Sequence, residues 1–501
     1  MNFTTLGRPC GVAAMALALW GCMGSEPSGG GARSAGPSNA SGEQSSGTLT
    51  AERLQQAFGG MQNGQLPLGL GCGWLAASDA DKANIAFPDS EAKYWVAAAP
   101  VSPQTRVRID GAYPQARYFS FNAYDAAARP TDALADFELQ PNASSSNPFA
   151  SPGGKPGGTY TAYLQYGPSP TQNPDVPRAA NTFYTGEVAL GPLNMPNGLA
   201  LFMYRIYVSE AGEFFDGGVG LPTLTLETAD GSQTLGTLPN CDEPLLPNLG
   251  GAAPPLGLNE RLLALDYPNE LVLPFPTATY PPTTTKFFGL GDTAVRVAGN
   301  AIGNRELADQ FGGQLESGSG GFLSNIHNAY TTTGFSRRYG SLALVRAKAP
   351  TFKGQRGVGM GREDLRYWSL CGNEFATQRY TDCAADYGVP LDSSGHFTVV
   401  ISDPADRPAN ATAQNGFLWL PWGPYPDHLL LYRHMLNNPD FKEAIQQVQK
   451  NQSLTEAMGA YAPVGLYCRP EVFVQSTQPE QVFELCKKDQ ADNPPLQVRG
   501  R

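Results

Sequence analysis

The sequence predicts a mainly β protein: two tandem, related antiparallel β-sandwich domains of jelly-roll type with a few peripheral helices. Three observations lead there. Gly and Pro number 57 and 43 among 501 residues, too many helix breakers for a helical bundle or coiled coil. Short segments rich in aromatic and β-branched residues recur between turns of Pro, Gly, Asn and Asp, with no long helical pattern between them. A series of residues in the first half then returns in the same order in the second.

Met1 to Arg8 carries one cation, Gly11 to Trp20 is an apolar run, and Leu19-Trp20-Gly21-Cys22 follows. The run is too short to cross about 30 Å of hydrocarbon as a helix, so it reads as an export signal. It resembles a bacterial lipoprotein signal, with Trp20 departing from the small residue usual there. That resemblance implies a lipoprotein-type signal at residues 1–22 with a membrane anchor through lipid on Cys22, and plain secretion after cleavage nearby is the alternative. Residues 23–49 are a tether: Ser, Gly, Ala, Pro and Asn dominate, and too few large apolar residues remain to offset the entropy of ordering.

The repeat divides the rest into a first β-domain (50–240), a Pro-rich linker (241–284), a second β-domain (285–436) and a helical, disulfide-stapled C-terminal segment (437–501). Val107-Arg108 is answered by Val345-Arg346, and Arg117-Tyr118-Phe119-Ser120 by Arg366-Tyr367-Trp368-Ser369. Ala135-Asp136 is answered by Ala385-Asp386, Tyr160-Thr161 by Phe397-Thr398, Asn181 by Asn410, and Tyr204-Arg205 by Tyr432-Arg433. From the first Arg the intervals are 19, 24, 21 and 23 residues in one copy and 20, 11, 13 and 22 in the other. The surplus falls in Asn142 to Gly158 and Gly167 to Pro177, both of loop composition. Duplication of one sheet unit is the expectation.

Strands are expected at 105–109, 117–124, 160–166 and 199–208, then at 342–346, 366–370, 397–401 and 417–420. Phe119, Phe121 and Ala123 alternate with Tyr118, Ser120 and Asn122, the period of a strand with one face in a core. Helices are expected at 50–58, 440–449, 453–458 and 477–488, the last three opening on Asp, Ser or Thr with Glu three residues on.

Cys72, Cys241, Cys371, Cys383, Cys468 and Cys486 remain in the mature body, an even set suited to disulfides in an oxidising compartment. Proximity favours Cys371 with Cys383 and Cys468 with Cys486, which leaves Cys72 for Cys241. There is no C-x-x-C and no paired-His spacing among the 4 His, so no metal is expected. No G-x-S-x-G or S-x-x-K set marks a nucleophile, and the glycines from Gly354 to Gly361 lack the G-K-[ST] of a phosphate loop. No cofactor is expected. Lys plus Arg total 34 against 45 Asp plus Glu, a net charge of −11, which argues against nucleic acid as a partner.

Each repeated Arg has an Asp about twenty residues later in its own copy, which reads first as an ion pair inside that copy. As ligand-binding residues the sequence offers Arg117, Arg205, Arg366 and Arg433, converging on a carboxylate or sulfate, with Trp422 and Tyr425 as an exposed aromatic platform on a Pro- and Gly-bearing loop. For carboxylate acid and base chemistry the nearest candidates are Asp125, Asp136, Glu138, Glu363, Asp364 and Asp386.

The segments Ala116 to Ser120, Tyr204 to Tyr207 with Gly217 to Pro222, and Leu365 to Ser369 resemble those of an uncharacterised group of bacterial exported proteins with duplicated β-domains. The resemblance implies architecture and export and supplies no catalytic residue. The function expected from the sequence is that of a lipid-anchored bacterial envelope protein (outer membrane or cell surface) or a secreted one, binding or structural. It would recognise a polar or small anionic ligand, a glycan among them, in a cleft between the β-domains. A polysaccharide hydrolase and a protein-binding envelope scaffold are the alternatives.

Overall fold

The computed structural model describes residues 73–494, less 80–83, 85–86, 126–128, 151–156, 187–199, 211–215, 239, 241–277, 290–322, 353–362 and 375–378. The signal, the tether, the helix expected at 50–58, Cys72, Cys241, most of the linker and the glycine-rich stretch from Gly354 lie outside the described residues.

The first lobe contains β1 (Trp74–Asp79), β2 (Ala92–Ala99), β3 (Thr105–Ala112), β4 (Ala116–Tyr124), β5 (Pro130–Ala135), β6 (Thr159–Gln165), β7 (Thr182–Tyr184), β8 (Ala200–Ser209), β9 (Thr223–Thr228) and β10 (Thr234–Leu238). They form two sheets, ordered β1-β2-β8-β4-β5 and β10-β9-β3-β6-β7. The second lobe contains β11 (Thr284–Lys286), β12 (Asn328–Ser336), β13 (Leu342–Lys348), β14 (Leu365–Asn373), β15 (Tyr380–Ala385), β16 (His396–Ser402), β17 (Phe417–Pro421), β18 (Asp427–Asn437) and β19 (Val464–Tyr467). Its sheets run β11-β12-β18-β14-β15 and β17-β16-β13-β19. Each strand of the second lobe thus has a counterpart in the first, from β1 with β11 to β9 with β19, and among the described residues β10 lacks one. All pairs are antiparallel save β6 with β7 and β16 with β17, which are parallel at the same place in each lobe.

Alternation explains how each lobe fills. Phe119, Phe121 and Ala123 of β4 enter the first core beside Val107, Ile109, Leu164 and Phe202. Trp368 and Leu370 of β14 enter the second beside Val345, Phe397, Val399 and Tyr432. The two surplus stretches of the first copy fall between strands, one between β5 and β6 and one between β6 and β7, where insertions cost least.

The C-terminal segment departs from expectation in two respects. It contributes β19, which pairs with β13 and completes the second sandwich. Residues 440–449 form no α-helix, only a 3-10 turn at Ile445–Gln447. The reason is tertiary: Ala444, Ile445 and Val448 are buried in the second core, the Ile445 amide donates to His434 Nδ1, and Lys286 Nζ takes the carbonyls of Gln446 and Val448. Helices α1 (Leu454–Met458), α2 (Pro470–Phe473) and α3 (Pro479–Asp492) follow. Cys371 bridges to Cys383 and Cys468 to Cys486, the latter holding α3 against the start of α2. Among the described residues, no helix is long and apolar enough to cross a membrane.

Candidate functional site

The sequence-predicted arginines meet where the lobes pack. The face of β4 and β8 that does not enter the first core carries Tyr118 and Tyr207, and the matching face of β14 and β18 carries Tyr367 and Met435. These four side chains form one buried cluster across the lobes with Ala92, Ala135 and Ala385. Because a tyrosine brings a polar tip into such a layer, each hydroxyl needs a partner there.

The ion pairs cross between lobes. Arg117 donates to both oxygens of Asp386 at 2.7 Å, and Arg366 donates to both oxygens of Asp136 at 2.9 and 3.0 Å. This corrects the expectation of a pair within each copy. Each Asp does bind its own lobe, but through backbone: Asp136 accepts the Phe119 amide at 2.9 Å and Asp386 the Trp368 amide at 3.2 Å. Spacing along the chain cannot distinguish the arginine of the same copy from its equivalent, which the near-two-fold packing of the lobes brings to the same place. Burial pushes the carboxyl of Asp386 up to about 6, against the lowering pull of Arg117, and it raises that of Asp136 against Arg366.

Two flanks surround this centre. On one, Arg433 reaches the fully buried Asp89, which also accepts Tyr367 Oη at 2.8 Å, Ser369 Oγ at 2.7 Å and its own loop's Glu91 amide at 3.0 Å. On the other, Arg205 donates to Tyr124 Oη and to the Leu323 carbonyl. Tyr94 and Tyr330 hold equivalent posts, the Arg205 guanidinium lying 4.7 Å from the Tyr94 ring and Arg433 5.3 Å from that of Tyr330. Asp89, Tyr94, Asn325 and Tyr330 are residues that sequence reasoning missed. The signal was an acid or its amide followed five residues later by Tyr at the entry of β2 and β12, too short to stand out before the strands are aligned.

All four arginines are therefore buried against protein groups rather than lining an open cleft. The aromatic loop is closed as well. Trp422 and Tyr425 are 1% and 6% exposed, which corrects the expectation of a surface platform. Arg337 folds that loop inward: its guanidinium lies 5.2 Å from the Trp422 ring, donates to the carbonyls of Gly423 and Tyr425, and pairs with Asp403. The remaining acidic residues have local structural partners. The Asp125, Glu138 and Asp364 carboxylates accept from Arg129, the Ala135 amide and the Thr351 amide, while Glu363 accepts from the Asn438 side chain only through its backbone carbonyl.

An open cavity of about 260 Å³ lies elsewhere, beside the Cys468–Cys486 bridge. Three tyrosines wall it: Tyr280 stacks on Tyr467 at 5.8 Å and 14°, and Tyr339 meets both at 5.7 Å. The opposite wall comes from α2 and α3, with Arg469, Asp489, Gln490 and Asn493. Arg469 binds Asp489 at 2.9 and 3.0 Å, and that contact holds the Asp489 carboxyl below its ordinary value. Tyr280 Oη donates to the Gln490 carbonyl at 2.7 Å, so the aromatic wall and the helix support each other. Among the described residues, no group of three His, Cys, Asp or Glu is placed to hold a metal ion.

No family model matches the chain, and no curated protein does. Solved structures similar to it include an uncharacterised protein from Burkholderia cenocepacia, 13% identical with a TM-score of 0.39, over 83% of this chain and 86% of that one. A Vibrio parahaemolyticus protein is 11% identical with a TM-score of 0.34, over 75% of this chain and 88% of that one.

Proposed function

We propose that this is an exported bacterial protein, lipid-anchored through Cys22 or secreted, that arose by duplication of one β-sandwich unit and acts as a binding module for a polar or anionic ligand, foremost a glycan. The observation that carries the reading is the tyrosine-walled cavity beside Cys468. Aromatic faces meet the apolar faces of a sugar ring while Arg469, Gln490 and Asn493 supply polar partners at its rim. At about 260 Å³ it is slightly smaller than the pockets of about 300 Å³ and above that hold drug-sized ligands, so one ring or a chain end is the fitting occupant. The matched strand orders support the duplication, and the disulfides support a compartment outside the cytoplasm.

A glycan array and a thermal-shift screen of sugars and organic acids against the mature protein test this, with Tyr339→Ala and Arg469→Ala as probes of the cavity. Ligands that bind the native protein and lose affinity about tenfold or more in both variants are expected. Binding that is unaffected by either variant would move the site elsewhere, and no binder across the screen would remove the reading. Mass spectrometry of the membrane-extracted protein checks for lipid on Cys22.

A further inference from the structure

The near-symmetry of the two flanks breaks in charge at the buried position that serves the arginine, Asp89 on one side and Asn325 on the other. Phe87, Asp89, Glu91 and Ala92 correspond to Leu323, Asn325, His327 and Asn328. The backbone repeats in detail: Phe87 and Leu323 have φ of 54° and 52°, and Val208 and Leu436 have 53° and 47°. The Val208 amide donates to the Glu91 carbonyl and the Leu436 amide to that of His327. The Glu91 amide caps on Asp89 Oδ1 at 3.0 Å and the His327 amide on Asn325 Oδ1 at 3.1 Å. Arg433 donates to the Phe87 carbonyl and Arg205 to that of Leu323. The geometry is shared and the charge is not. Arg433 has the Asp89 carboxylate, whereas Arg205, 4% exposed, has a neutral Asn at the equivalent position and, among the described residues, donates only to the neutral acceptors Tyr124 Oη, Met203 Sδ and the Leu323 carbonyl.

We propose that the lobes are a hinged pair, held along the Asp89–Arg433 flank and opening first along the Arg205–Asn325 flank. A buried guanidinium without an anion gains hydration when its surroundings open, whereas one paired with a buried carboxylate loses its partner. On the Asp89 side the carboxylate gathers Arg433, Tyr367, Ser369 and Glu91. On the Asn325 side the amide meets Tyr118 Oη at 3.1 and 3.4 Å, and Tyr118 in turn meets His327 Nδ1 at 2.8 Å. The central Arg117–Asp386 and Arg366–Asp136 pairs act as the pivot. Local opening of this kind draws on the least stabilised contacts of a fold.

Equivalent amides give an internal control. Hydrogen exchange of the full mature chain, read per residue by NMR or fragment mass spectrometry, compares His327 and Asn328 with Glu91 and Ala92, each corrected for intrinsic rate. The first pair is expected to be about tenfold less protected. Asn325→Asp is expected to bring the two pairs within about threefold and to raise the melting temperature. The exchange variant carrying both Asp89→Asn and Asn325→Asp moves the anion from one flank to the other without changing net charge, and it should reverse the order of protection. Equal protection in the native protein would overturn the proposal. So would an Asn325→Asp protein that folds but keeps the native difference.

Discussion

Removing Arg117 tests the inter-lobe architecture most directly. Its guanidinium and the Asp386 carboxylate are both fully buried, and the pair spans 269 residues of sequence, so the contact exists only when the lobes are docked. Breaking a buried pair by deleting one partner typically costs about 3 to 5 kcal/mol, because the other charge is left in a low-dielectric site. Arg117→Met should fall near the lower end. Asp386 still accepts the Trp368 and Tyr387 amides, and a carboxyl already pushed up to about 6 by burial takes a proton with little further cost. Asp386→Ala should cost more, about 5 kcal/mol, since it strands the guanidinium and also removes the acceptor of those two amides. Combining Arg117→Met with Asp386→Leu removes both charges, and the double variant should recover most of the loss. Urea unfolding monitored by tyrosine and tryptophan fluorescence, run as a double-mutant cycle at pH 7.5, measures all three. Single variants that each cost less than about 1 kcal/mol, or costs that simply add, would refute the reasoning. The same cycle on Arg366 and Asp136 should give the same pattern, since their surroundings are equivalent.

Acid should destabilise the protein through its buried histidines. Burial holds His327 and His428 down to about 4 and His434 to about 3. The unfolded chain therefore takes up protons first: stability from each is fully present above about pH 6.5 and declines as the pH falls toward 4. Each contributes about 3 kcal/mol or more, while Asp386, raised to about 6, opposes with about 3 kcal/mol as it protonates, and Asp136 and Glu138, also raised by burial, oppose in the same direction. A net decline in urea midpoint between pH 7 and 4 is expected, and a flat profile would contradict the burial of His428 and His434. Replacing Cys468 and Cys486 by Ser should cost about 3 kcal/mol in urea unfolding, because the bridge closes an 18-residue separation. Gly372→Ala should cost about 1 to 3 kcal/mol in thermal or urea unfolding, since a Cβ there would stand 2.6 Å from the His428 ring and 2.7 Å from Thr381 Oγ1. At the equivalent Ala123, removing the Cβ should cost less than Gly372→Ala.

Much of the fold was legible before any coordinates. Alternation places Phe119 and Phe121 on one face and Tyr118 and Ser120 on the other whatever surrounds them, so β4 and β14 could be drawn from the sequence to within a few residues. The neighbouring pairs Cys371 with Cys383 and Cys468 with Cys486 were likewise favoured by short loops, which close at low entropic cost. The 440–449 segment shows where local reasoning stops. Its Asp440-x-x-Glu443 opening is a sound helix signal, yet burial of Ile445 and Val448 and the demands of His434 and Lys286 outweigh a preference of a few tenths of a kcal/mol per residue.

The site residues divide along the same line. The sequence by itself determined that Arg117, Arg205, Arg366 and Arg433 stand at repeated positions beside aromatic residues, because strand periodicity is a short-range property. It could not determine what they face. Whether a guanidinium pairs with the Asp of its own copy or of the other, or whether Trp422 lies on a surface or under Arg337, depends on how two sheets dock, and docking energy is summed over contacts hundreds of residues apart. Only the tertiary structure decided that the arginines close the interface between lobes. It alone also gathered Tyr280, Tyr339 and Tyr467 from three separate segments into one cavity.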